Sequence, residues 1–158
     1  MHFSLNDEQI ALRESAQRFL QENATFEHTS KVMETDLGYD PEVWQTLTGE
    51  LGWTALTIPE SYGGYGLGYT DLLPLLEEMG RHLLCSPYFS TVCLGASTLL
   101  EAGTEKQKQT YLPGIADGSL RATLGVIEKD NHWQPGGINT TAHPVDGGFE
   151  LTGSKAMV

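Results

Sequence analysis

Apolar positions recur at helical spacing through most of the first 117 residues. Leu12, Ala16, Phe19, Leu20 and Ala24 share one face of a first helix. Asn6 can cap it, Gln9 completes a capping box, Leu5 and Ile10 can form a hydrophobic staple, and Asp7 and Glu8 suit the positive end of the helix dipole. The polar stretch TFEHTSKVMETDLGYD reads as a connection with room for a short helical turn. Asp40-Pro41 opens a second helix carrying Val43, Trp44, Leu47 and Leu51, and Gly52 ends it. WTALTIPE reads as a short, nearly extended apolar link. Asp71 can cap a third helix with Pro74 in its first turn and Leu72, Leu75, Leu76 and Met79 facing inward. Ser86-Pro87 opens a fourth helix that runs to Gly103. Thr104 and Gln107 form a capping box for a fifth, which stops before Pro113.

The pattern changes near Asp117-Gly118. LRATLGVIE reads as a strand, and INTTAHPV and FELTGSKAMV flank the turn signal DGG as a hairpin. The expected fold class is therefore mainly α: about five helices over residues 1–117, then the first strands of a β domain over 118–158. Three strands without a closing partner leave bare edges, so the chain is expected to be a fragment, or a domain that needs the rest of a longer polypeptide.

Composition adds exclusions. A formal net charge of -12, from 21 acids against 9 bases, disfavours nucleic acid and anionic membranes as partners. No apolar run reaches the length of a membrane span, and MHFSLNDEQ has no secretion-signal pattern. With Cys85 and Cys93 as the only cysteines, buried thiols in a cytoplasmic protein are expected rather than a disulfide scaffold.

Candidate chemistry is sparse. PESYGGYGLGYTDL sets Gly63, Gly64, Gly66 and Gly68 close together, but no Lys-Ser/Thr ending follows, so a tight connection is favoured over a phosphate cradle. The five histidines show no metal-ligand spacing. Glu77 and Glu78 are adjacent on a helix and point in different directions, so a helix face with one ion-paired Glu is favoured over an acid–base pair. No catalytic and no metal-binding residue is nominated.

The order of segments is more specific. LNDEQIALRESAQRFL, ELGWTALTIPESYGGYGLGYTDLLPLLEEMGR, GTEKQKQTYLPGIADGSL and GGINTTAHPVDGGFELTGSKAMV together resemble the acyl-CoA dehydrogenase family, in order and over the whole chain. That resemblance implies an N-terminal helical domain, a middle β domain and a C-terminal helical domain. It implies FAD as cofactor, an acyl-CoA substrate dehydrogenated between its α and β carbons, an electron-transferring flavoprotein as electron acceptor, and a homo- or hetero-oligomer. The catalytic glutamate of most members lies in the C-terminal domain, which this chain lacks.

Aligned to the family's flavin-binding strand, LGVIEKDNHWQ keeps Val126 and Glu128. Ile127 replaces a threonine that bonds the flavin, Lys129 and Asp130 replace Pro-Gly, and His132 and Trp133 stand where Gly-Ser approaches the cofactor. Met157 stands where a tryptophan is common. The resemblance thus assigns Leu124, Val126, Ile127, His132, Trp133 and Met157 to the cofactor positions. Two functions follow: a divergent flavin-dependent dehydrogenase, or a non-catalytic subunit of a hetero-oligomer that has lost FAD.

Overall fold

The structure is a computed structural model and describes residues 4–128, 137–156 and 158. It divides into two compact units, residues 1–122 and 123–158.

The first unit is helical. Helix α1 (Asp7–Asn23) begins as its sequence predicts: the Asn6 side chain accepts from the Gln9 amide at 2.8 Å, and the Asn6 amide donates to the Gln9 side chain at 3.1 Å. The expected connection after it contains a two-turn helix, α2 (Phe26–Met33). Thr25 caps it, the Glu27–Lys31 pair one turn apart supports it, and Thr29 and Val32 are buried. Asp40 caps α3 (Pro41–Gln45), accepting from the amides of Glu42 and Val43, and the helix widens into a π turn over Thr46–Glu50. Gly52 leaves this helix in the left-handed conformation, at φ +64°.

The apolar link that follows is not extended. Trp53–Ala55 and Glu60–Tyr62 form 3-10 turns, and the residues from Trp53 to Ile58 are all buried. Their apolar side chains reach two core clusters at once, which an extended strand with outward-facing alternate residues could not do.

Helix α4 (Tyr69–Arg81) starts three residues earlier than expected. Gly68 occupies the cap, and Asp71, in the first turn, accepts from its amide at 2.9 Å. Pro74 therefore lies beyond the first turn, where the Thr70 carbonyl loses its helical donor; Leu72, Leu75 and Met79, buried on the same helix, offset that loss. After Ser86-Pro87 the helix is wide-wound from Phe89 to Ala96 and regular in α5 (Ser97–Ala102). Helix α6 (Glu105–Ala116) has the predicted Thr104–Gln107 box, yet it runs through Pro113 because Leu112, Ile115 and Ala116 are buried on the same helix.

One core gathers Ala16 and Leu20 of α1, Trp44 of α3, Trp53, Leu72 and Leu75 of α4, and Tyr88. Phe19 meets Trp53 edge to face with ring centroids 5.4 Å apart. A second cluster sets Ile58 and Ala96 against Leu112 and Ile115. Ala122 closes this unit: its amide donates to the Thr91 hydroxyl, and its methyl approaches Gly95 so closely that a side chain there would clash.

In the second unit, β1 (Thr141–Val145) pairs antiparallel with β2 (Gly148–Thr152), with Val145 opposite Gly148 across the Asp146-Gly147 turn. This is the predicted hairpin. Residues 120–128 carry no strand, contrary to expectation. Among the described residues their backbone pairing in this unit is one bond, from the Ala156 amide to the Ile127 carbonyl at 2.8 Å, too little for a ladder.

Candidate functional site

The glycine segment is a bend whose amides are already used. Tyr65 donates to the Ala55 carbonyl, Gly66 to Ile58 and Leu67 to Leu56, at 2.8 to 3.0 Å, while Gly64 donates to Pro59 and Gly68 to Asp71. A β carbon at Gly64 would sit 1.9 Å from the Ile58 carbonyl oxygen. The chain folds back on itself there, and these amides do not face an anion.

The other early candidates also take structural roles. Glu78 is buried; it accepts from the Gln17 side chain at 3.0 Å and lies 3.3 Å from the Arg81 guanidinium, while Glu77 is exposed. Cys85 and Cys93 are free thiols, half-buried rather than buried as expected, and partial burial pushes the Cys93 thiol above its ordinary value. Among the described residues no group of His, Cys, Asp and Glu is arranged to hold a metal ion, and no helix is long and apolar enough to cross a membrane.

The cofactor positions fall in the second unit. Leu124 and Val126 leave 39% and 38% of their surfaces exposed, and Ile127 is half-buried. His132, Trp133 and Met157 lie outside the described residues. The Ile127–Ala156 backbone bond brings the Leu124–Ile127 segment beside the Gly153–Ala156 segment, although almost thirty residues separate them in sequence.

Sequence reading kept Glu128 as a residue that fits the family's flavin-binding strand but gave it no role, and in the structure it organises this site. Glu128 is buried at 6% exposure, and its carboxylate accepts from the Asn139 amide at 2.7 Å, the Thr140 amide at 2.9 Å, the Thr140 hydroxyl and the Lys155 ammonium at 2.8 Å. Lys155 first, then the Thr140 hydroxyl and the two amides, hold the Glu128 carboxyl down to about 2. The available signals were that fit to the family strand and a lone lysine after Gly153-Ser154, with nothing in the sequence to show that the two side chains meet.

The described residues fit a flavin in one respect. Leu124 and Val126 are exposed apolar side chains, of the kind that can pack on the flat face of a tricyclic ring. Leu124, Val126 and Ile127 carry no side-chain donor for its polar edge, which leaves that edge to backbone groups or to other residues.

Comparison with known proteins agrees with the fold and the segment order. The family pattern described as acyl-CoA dehydrogenase, N-terminal domain, matches residues 6–119. The chain is 32% identical to a mitochondrial isovaleryl-CoA dehydrogenase of Arabidopsis thaliana over 155 residues, covering 95% of this chain and 37% of that protein. It is 32% identical to the probable acyl-CoA dehydrogenase YngJ of Bacillus subtilis, over 100% of this chain and 41% of that protein. A solved variant of the Tcur3481-Tcur3483 steroid ACAD superimposes with a TM-score of 0.83 at 32% identity, covering 97% of this chain and 41% of that one. The chain thus spans about two fifths of the length of these relatives. The family pattern spans most of the chain and these relatives match nearly all of it, and the chain belongs to the acyl-CoA dehydrogenase family.

Proposed function

We propose that this chain forms the helical domain and the opening of the β domain of an FAD-dependent dehydrogenase, which oxidises an acyl-CoA thioester between its α and β carbons. The observation that carries this reading is 32% identity to two acyl-CoA dehydrogenases over nearly the whole chain. Bound FAD supplies the two-electron acceptor. Leu124, Val126 and Ile127 would hold the ring by its apolar face, with His132, Trp133 and Met157 assigned to the same site from the sequence. The helical unit contributes a rigid scaffold, its core closed around Trp53 and Tyr88. None of its carboxylates is assigned as the base. An electron-transferring flavoprotein is the proposed electron acceptor, and an oligomer the proposed assembly. Relatives named for isovaleryl-CoA and for steroids are equally similar, at 32%, so the proposal stops at the acyl-CoA class.

One residue favours a second reading. Ile127 brings no hydroxyl to a position where the family pattern has threonine. That change suits a subunit that keeps the fold, binds no flavin of its own and packs on a flavin-bearing sister. Purifying the whole polypeptide that contains this chain separates the two. A flavin band at about 450 nm, with FAD released on denaturation, is expected for the dehydrogenase. A colourless protein that becomes yellow only when co-expressed with a second dehydrogenase subunit overturns it.

A further inference from the structure

The Leu124–Glu128 segment has no strand ladder, so side chains must fix its path. Four donors converge on the Glu128 carboxylate from Asn139, Thr140 and Lys155. Both backbone donors lie just before β1, and Lys155 lies just after β2, so one carboxylate ties together the two ends of the hairpin. The fit is close on both sides. A β carbon at Gly125 would stand 3.3 Å from the Lys155 Cγ, so the lysine stem runs along this segment before its ammonium reaches Glu128. A β carbon at Gly153 would meet Thr140, the residue that gives Glu128 two of its four bonds. Beside this cluster, Ala156 donates to the Ile127 carbonyl.

We propose that Glu128 and Lys155 are positioning residues for the cofactor: their ion pair fixes the backbone from Leu124 to Ile127, and with it the apolar face offered to the flavin ring. A buried ion pair contributes little net stability compared with an apolar contact of similar size, but it restricts geometry, because the carboxylate accepts only where its donors stand. The carboxylate stays ionised at physiological pH, so protonation of Glu128 does not switch the clasp there. This inference rests on the flavin reading above.

The test uses the whole polypeptide with Glu128→Gln, Lys155→Met and Lys155→Arg. FAD affinity is read by flavin fluorescence, ring geometry by visible circular dichroism, and helix content by far-ultraviolet dichroism. Glu128→Gln and Lys155→Met are expected to weaken FAD binding at least threefold and to change the visible spectrum at constant helix content. Lys155→Arg, which keeps a charged donor, restores both. FAD affinity within threefold of the parent in both variants, with the parent's visible spectrum, overturns the proposal. If Glu128→Gln fails to fold, Lys155→Met with its arginine counterpart decides. A parent protein that holds no FAD, alone or with a partner, defeats the functional reading separately. Amide exchange then decides the clasp: Asn139 and Thr140 should lose protection in Lys155→Met, and unchanged exchange there overturns it.

Discussion

Gly64 and Gly80 lie in one continuous motif, yet a methyl group added to each should act in opposite directions. At Gly64 the new carbon would fall 1.9 Å from the Ile58 carbonyl oxygen, a backbone atom that cannot step aside alone. The bend must open, and the bonds from Tyr65 to Ala55, Gly66 to Ile58 and Leu67 to Leu56 weaken with it. Gly64→Ala should cost about 3 kcal/mol or more, at the upper end of overpacking effects. At Gly80, inside α4 and exposed, nothing lies within 4 Å of the new carbon. Gly80→Ala should stabilise by up to about 1 kcal/mol through helix propensity. Urea melts of the two variants check the pair, and a destabilising Gly80→Ala would refute the helical account of that position. The sequence showed that these glycines punctuate the chain. It did not show which one cannot be replaced, because that depends on Ile58, six residues away across the fold-back.

At the scale of elements, features set by local caps and glycines were legible, while the start of α4 and the end of α6 were not. The Asn6, Asp40 and Thr104 caps use side chains within three residues of the amides they bond, so four letters of sequence suffice. Helix α6 runs past Pro113 for a non-local reason: Leu112 and Ile115 are buried against Ile58 and Ala96, more than fifteen residues away in sequence. The segment at 120–128 shows the same limit. Its β-like composition is real, but composition cannot supply a ladder partner, and the structure fixes the segment through the Glu128 carboxylate instead. A pH prediction belongs here. The Glu128 carboxyl sits at about 2, below its ordinary 4.5, so the folded state favours the ionised form. The contribution is complete above pH 4.5 and is lost as pH falls through about 2. The amide proton shifts of Asn139 and Thr140 should titrate with a midpoint near that lower value. A midpoint near 4.5 would mean the clasp does not form, and Glu128→Gln should abolish the transition.

For the molecule as a whole, family membership was legible because segment order survives where single residues change. The cofactor site was less so: Ile127 departs from the family pattern, and Glu128 and Lys155 meet only in the fold. The chain spans about two fifths of its relatives, and its candidate cofactor face is open, with Leu124 and Val126 exposed by 39% and 38%. Small-molecule sites usually bury about 70–90% of the ligand. Covering roughly 100 Å² of apolar surface at about 25 cal/mol per Å² yields about 2.5 kcal/mol. Association costs at least about 4 kcal/mol in lost translation and rotation, so this face alone cannot hold a ligand. The net charge of -12 works in the same direction, since FAD and acyl-CoA are both anionic. The 158-residue chain, once its helicity is checked by far-ultraviolet dichroism, should therefore give no calorimetric signal with FAD or acyl-CoA at micromolar concentration, whereas a polypeptide that also carries the remaining domains is expected to bind FAD. Micromolar FAD binding by the chain alone would mean that residues 123–158 already hold a closed flavin site, and the open-face account would fall.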